Sequence, residues 1–357
     1  MSKRITIKDI AKLAGVSVGT VDRVLYNRGS VSEASRIAIE KAIEKMEYKP
    51  NIHVSALALR KTYKLCITIP QFTEGEYWDA LESGIKRAIE KYEGVDISVK
   101  FFYYNQFDIY DCRKTFDEVS KYDADAVIIG PTFRDETIYL VSQLEYLKIP
   151  YVFVDSVVEN TSPLAFFVAD PYTCGYIMSK LITGLTPYNS ELVLFQAERI
   201  GDESANTTIL RKRGFLAYLK DKKLTNKLHS VMYSALDSSR NDKLIGDYFE
   251  KNPNIHGAIV LNSRGHVIAD YFEKKNINNI KLVCIDMTEK NIHAIKSGYI
   301  DYLICQRPEA QGYLATKSII EFLVYRLSFK VENYLPLDIL VNETVCLYEE
   351  FNNIDYL

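Results

Sequence analysis

Two groups of residues in this 357-residue chain have types and spacings that can do chemistry. The first lies within residues 6–26, TIKDIAKLAGVSVGTVDRVLY. Val18, Gly19 and Arg23 fall on one outer face of a short helical run, with Ile7 near them. A guanidinium there can bond bidentately to the edge of a guanine. Thr6, Ser17, Thr20, Ser32 and Arg36 supply hydroxyls, a cation and helix-start N–H groups, which suit phosphate oxygens. The second group is Tyr77, Trp78, Asp155, Arg211, Asn262, Asp286 and Gln306. These lie at the carboxyl ends of strand-like runs or in the loops and helix starts after them. Carboxylates, amides and a guanidinium orient hydroxyls that both donate and accept, and aromatic rings cover the apolar faces of a sugar.

The elements that must position the first group are short helices. Thr6 is an N-cap, and Asp9 three residues on completes a capping box. Ile10, Leu13 and Ala14 repeat at helical spacing, and Gly15 stops the run. Ser17 caps a second helix whose buried stripe is Val21, Val24 and Leu25. Helix, glycine turn, capped helix is the layout of a helix-turn-helix, whose second helix enters the DNA major groove. Ser32 caps a third helix with Ile39, Ala42, Ile43 and Met46 facing inward.

The second group needs a different scaffold. From residue 63 the pattern alternates: strands at 64–70, 96–104, 126–130 and 151–155, with helices at 77–92, 110–122 and 137–147 between them. It then starts again, with strands at 165–169, 192–196, 229–233, 258–261, 282–285 and 302–305, and helices that include 172–185 and 209–219. Short, near-continuous apolar strands suit a parallel sheet covered on both faces. Strict alternation implies an α/β fold, and two such runs imply two lobes with a cleft. In open α/β sheets ligands sit at the carboxyl ends of the strands, where this group falls. The fold class is therefore α plus α/β.

The head of the chain resembles the lactose/galactose repressor (LacI/GalR) family. The resemblance rests on Thr6-Ile7-Lys8-Asp9-Ile10-Ala11, Ala14-Gly15-Val16-Ser17, Thr20-Val21, Arg23-Val24-Leu25, Val31-Ser32, Tyr48, Pro50-Asn51 and Leu57. It implies a headpiece over 1–50, a hinge over 51–61 and an effector domain over 62–357. The effector domain is then of the type I periplasmic-binding-protein kind. Its first lobe is expected at about 62–157 and 307–335, and its second at about 158–306 and 336–357. The resemblance also implies that the hinge forms a helix on DNA and that Leu57 wedges into the minor groove. By the same resemblance the second group of residues falls on ligand positions, in the motifs GEYW, FVDS, LRKRGF, VLNS, CIDMT and ICQRP. Gly19, Asp22, Ser156 and Ser263 depart from the family pattern. Asp170, before Pro171, reads as a helix opener.

Composition sets the limits. Residues 1–61 carry 12 Lys/Arg against 6 Asp/Glu, and the remainder 32 against 41. A basic head on an acidic body fits contact with phosphate at one end only. No apolar run is long enough for a membrane span and no secretory signal is read, so a cytoplasmic protein is expected. The six cysteines are scattered and read as reduced, buried thiols. The G-x-S-x-G match at 15–19 lacks the preceding strand that a nucleophile elbow needs. The histidines lack metal spacing. No catalytic residue, cofactor or metal is therefore assigned. A transport-type sugar-binding protein would fit the body but not the head. The expectation is a DNA-binding regulator, a repressor controlled by a sugar-like effector and paired as a homodimer on a near-palindromic operator. The alternative is such a regulator with a vestigial or non-sugar cleft.

Overall fold

The structure, a computed structural model, describes residues 5–25, 30–46, 61–202, 205–235 and 237–352. The headpiece forms α1 (Ile7–Ala14), α2 (Val18–Leu25) and α3 (Glu33–Lys45). The Thr6 backbone N–H and hydroxyl both donate to Asp9 Oδ2, at 2.9 and 2.7 Å. Gly15 ends α1 with a φ of 67°, a conformation that favours glycine. Ser17 Oγ accepts the Thr20 N–H at 3.1 Å, and Ser32 Oγ that of Ser35 at 3.4 Å. Ile10, Ala11, Val21, Ile39 and Ala42 are buried together, with Val24, Leu25, Ile43 and Met46 packed on them. Residues 51–60 of the expected hinge, Leu57 among them, lie outside the described residues, as does Tyr48.

From residue 61 strands and helices alternate. The first run is β1 (Tyr63–Pro70), α4 (Tyr77–Glu90), β2 (Ile97–Tyr104), α5 (Ile109–Lys121), β3 (Ala126–Ile129), α6 (Arg134–Tyr146), β4 (Tyr151–Val154) and β5 (Ala165–Val168). Next come α7 (Pro171–Leu185), β6 (Glu191–Ala197), α8 (Asn206–Asp221), β7 (Leu228–Tyr233), α9 (Ser238–Lys251) and β8 (Ile255–Val260). Beyond them lie α10 (His266–Lys275), β9 (Lys281–Ile285), α11 (Glu289–Lys296) and β10 (Tyr302–Cys305). Last are α12 (Pro308–Tyr325), β11 (Glu332–Tyr334), β12 (Asp338–Leu340) and α13 (Asn342–Asn352).

The strands make two sheets, ordered β2-β1-β3-β4-β5-β11 and β7-β6-β8-β9-β10-β12. All pairings are parallel except β10 with β12. β3, β4 and β5 are buried at every position, as strands covered on both faces must be. In each sheet the order reverses beside the strand that opens it, β1 or β6, which is where a crevice opens at the carboxyl ends.

One boundary is corrected. The sequence pattern divides the lobes at 157/158 and starts the second with the strand near 165. β5 instead pairs with β4 in the first sheet, Val152 opposite Ala165. No helix lies between β4 and β5, so the alternation looks as though it restarts there. The chain in fact crosses later, at Asp170, which accepts the N–H groups of Tyr172 and Thr173 at the start of α7. It returns before α12 and crosses again between β11 and β12.

Each lobe also has a helix pair in close contact at glycines. A methyl on Gly84 of α4 would sit 1.9 Å from the Glu309 carbonyl oxygen of α12, and one on Gly312 would sit 2.1 Å from that of Leu81. In the second lobe, Gly214 of α8 and Gly175 of α7 stand in the same relation to Tyr172 and Arg211, at 1.9 and 1.8 Å. These contacts fix the helix that carries Tyr77 and Trp78 and the helix that carries Arg211.

Candidate functional site

The cleft is built from the ends of β4, β8, β9 and β10 and the starts of α4 and α8. Asp155 follows β4 and Asp286 follows β9, both in the left-handed region at φ 66° and 68°. That backbone turn brings each carboxylate back toward the space between the sheets. Both are buried, at 7% and 4% exposure.

Arg211 lies between them from the second turn of α8 and is 3% exposed. One terminal nitrogen donates to the Leu261 carbonyl at 3.0 Å and the other to Gln306 Oε1 at 2.8 Å. Gln306 Nε2 passes the polarity on, donating to both Asp286 oxygens at 2.9 and 3.1 Å. Arg211, Gln306 and Asp286 thus form one relay. Asn262 Oδ1 accepts from the Tyr233 hydroxyl at 2.8 Å and from the Arg264 N–H at 2.9 Å. Its amide NH2 is then the group that it can offer a ligand.

Tyr77 and Trp78 open α4 and pack edge to face, with centroids 5.1 Å apart. Trp78 belongs both to the core and to the cleft: its ring lies against Gly130, and it also lines the cavity. The Tyr77 hydroxyl is buried beside Asp155 without a formed hydrogen bond. All seven residues line one cavity of about 60 Å³.

Burial dominates the electrostatics here. It pushes Asp286 up to about 7, against the pull of Arg211 and Gln306. It raises Asp155 as well, against Arg211 and Tyr77. The Tyr77 phenol is also raised, by burial first and by Asp155 second.

Sequence reasoning missed several residues. Gln311 of α12 is fully buried; its Oε1 accepts the Asp155 N–H at 2.8 Å, and its Nε2 donates to the Gln306 carbonyl at 2.8 Å. It therefore holds the backbones of two cleft residues at once. Arg199, two residues past β6, lines the cavity with Thr207 and Thr208 of α8. Its guanidinium lies 3.9 Å over the Phe133 ring and donates to the Thr132 carbonyl at 3.1 Å, reaching from one lobe to the other. Nothing in local spacing marks it, because Thr132 and Phe133 are far away in sequence.

Further contacts cross the cleft. Asn206 Nδ2 donates to Ser156 Oγ at 2.8 Å and to the Val157 carbonyl at 2.9 Å. Ser156 is one of the departures from the family pattern. Arg264 pairs with Glu76 at 3.1 Å. Ile109 and Ile200 N–H groups donate to the Ile200 and Phe107 carbonyls at 3.2 and 2.7 Å. The lobes are held closed.

On the headpiece, Val18, Gly19 and Arg23 are exposed on α2, Val18 at 45%. The Ser17 and Thr20 hydroxyls bond to each other at 2.8 Å at the start of that helix. Ser32 is exposed and bonds to Ser35, while Arg36 is half-buried. Ile7 is half-buried and packs on the three-helix core.

Head and cleft together define a class: a helix-turn-helix unit joined to a two-lobed α/β body with a polar crevice. Residues 6–51 match the model of bacterial regulatory proteins of the lacI family, and residues 66–324 match that of the periplasmic binding protein domain. The chain thus carries a lacI-family domain at its head and belongs, over its larger part, to the periplasmic binding protein domain family.

Among its relatives is the HTH-type transcriptional regulator GalR of Escherichia coli (strain K12), 41% identical over 86 residues, which are 24% of each chain. The chain thus spans about a quarter of the length of the curated relatives that it matches first. A solved structure from Bacteroides fragilis, assigned as a LacI transcriptional regulator, superposes with a TM-score of 0.77 at 27% identity. It covers 81% of this chain and 100% of that one. GanP, a glucose-galactose binding protein from Geobacillus stearothermophilus, has a TM-score of 0.69 at 17% identity, over 80% and 99% of the two chains, and shows the fold alone. Among the described residues no group of side chains is arranged to hold a metal, and no helix is long and apolar enough to cross a membrane.

Proposed function

We propose that this chain is a sequence-specific repressor whose grip on its operator is set by a small ligand, a sugar, held between the lobes. The observation that carries this reading is the convergence of Asp155 from one lobe with Arg211, Asn262, Asp286 and Gln306 from the other, under the rings of Tyr77 and Trp78. A ligand that touches both walls changes the balance between open and closed lobes, provided that it binds the two states unequally. The lobe angle sets the spacing of two hinges in a homodimer, and so the fit of two headpieces to two half-sites. In this reading Arg23 reads a base, Arg36 grips phosphate and Leu57 wedges the minor groove. In this reading the protein acts on operator DNA in the cytoplasm, without catalytic residues or a cofactor.

A cavity of about 60 Å³ also suits the second reading, a regulator with a vestigial cleft. Against it stand the cost of leaving buried polar groups unpaired and the Arg211 Nε, which has no partner. The test is to select DNA sites in vitro and then titrate operator binding with a panel of sugars. One sugar should shift both the thermal unfolding midpoint and the operator affinity, and Arg23→Ala should relax the choice at one base position by about 1–3 kcal/mol. If no small molecule moves either quantity, the cleft is vestigial.

A further inference from the structure

The cleft holds a second buried cation besides Arg211. The Arg199 side chain is 4% exposed and its Nε has no hydrogen-bond partner. Burial pulls its guanidinium below the ordinary value, and Asp202 at 3.6 Å opposes that. Beside Arg199 α8 begins. The residue before that helix is Ala205, which has no side chain to cap it, and Thr207 and Thr208 in its first turn line the same cavity. A first turn without a side-chain cap presents N–H groups and the positive end of the helix dipole. Arg211 adds a second buried Nε without a partner.

A neutral polyol does not need two buried guanidinium groups beside an uncapped helix start. An oxyanion does, because a guanidinium fork, hydroxyls and helix N–H groups all donate to it. We propose that the ligand of this cleft is an anionic polyol, a sugar acid or a sugar phosphate, its charged group seated between Arg199 and the first turn of α8. The hydroxyls then lie toward Asp155, Asn262 and Asp286. Arg199 also spans the lobes through Thr132 and Phe133, so the charged group would be bound where the lobes meet. This inference rests on the ligand-responsive reading above.

The test is isothermal titration of the full chain with matched sets: glucose, galactose, mannose and fructose, their hexuronic acids, and their 6-phosphates. One charged member should bind at least tenfold more tightly than its neutral parent. Whether that member is a uronate or a phosphate identifies the anion. The ratio of the two affinities should fall toward one in Arg199→Gln and should also drop in Thr208→Val, a change that removes a hydroxyl and no charge. A neutral sugar that binds as tightly as its charged derivatives overturns the anion seat and leaves the ligand-responsive reading intact. Binding by no member of any set overturns both.

Discussion

The two walls of the cleft share a plan and differ in finish. Each sheet ends a central parallel strand on a buried aspartate in the left-handed region, Asp155 or Asp286. Around Asp155 the wall is aromatic, with Tyr77, Trp78 and Phe107. Around Asp286 it is a polar relay of Gln306 and Arg211, with Asn262 alongside. The first lobe covers and the second grips. Opening the lobes leaves Asp286 its amide and its cation, whereas Asp155 keeps beside it only Tyr77, whose hydroxyl makes no hydrogen bond. The second lobe is therefore organised without its partner, and the first lobe completes the site on closure.

The strongest way to break this comparison is to remove its cation. Arg211→Met leaves two buried carboxylates without their shared cation. Losing one partner of a buried ionic network costs about 3–5 kcal/mol. Urea unfolding should show that loss, together with loss of ligand binding. Near-wild-type stability would mean that Arg211 is not the centre of the relay.

The acid pair gives a pH signature. The Asp286 carboxyl is pushed up to about 7 from an ordinary 3.8, so the folded state binds a proton that the unfolded state releases. Its contribution to stability is complete below pH 4 and is lost as pH rises through 7, at about 1.4 kcal/mol for each pH unit within that window. Asp155 is shifted in the same direction. Asp286→Asn should flatten the fall more than Asp155→Asn does. Equal slopes in all three proteins, measured by denaturant unfolding from pH 4 to 8, would remove the asymmetry.

The glycine contacts sharpen the comparison from the side of the scaffold. Gly84→Ala in the first lobe and Gly214→Ala in the second each drive a methyl to 1.9 Å from a carbonyl oxygen. Overpacking of this kind costs about 1–3 kcal/mol. The two variants should lose similar stability, but Gly214→Ala should also weaken ligand binding more, because α8 carries Arg211. Similar losses of binding from both would mean that the gripping wall is not confined to the second lobe.

The alternation of strands and helices was legible because buried parallel strands leave a run of apolar residues that needs no partner to be recognised. The capping residues of the headpiece were legible for the same reason, since Thr6, Asp9, Gly15 and Ser17 act within a few residues of themselves. The seven cleft residues could be placed because strand ends converge in an α/β sheet, and all seven line one cavity. The features that stayed hidden depend on distant pairing. β5 looked like the start of a new lobe because its partner, β4, is joined to it without a helix. β11 and β12 are three residues each and are defined only by the sheets that they complete. Arg199 and Gln311 matter through Thr132, Phe133 and Asp155, which no local pattern links to them.

The smallest predicted effect concerns the contacts that hold the walls together. Asn206 bridges the lobes through Ser156 Oγ and the Val157 carbonyl, two bonds that exist only when the cleft is closed. Asn206→Ala removes both while leaving each wall intact. A net hydrogen bond is worth about 0.5–1.5 kcal/mol, so losing the two should weaken closure by at least about fivefold. Trp78 is the only tryptophan in the chain and lines the cavity, so its fluorescence reports closure directly. The variant should need correspondingly more ligand to reach the same emission change, with the plateau unaltered. Ser156→Ala removes only one of the two acceptors and should fall between the variant and the parent. If both variants titrate like the parent, closure is carried by the Arg199 and Arg264 contacts instead, and the gripping lobe alone sets ligand affinity.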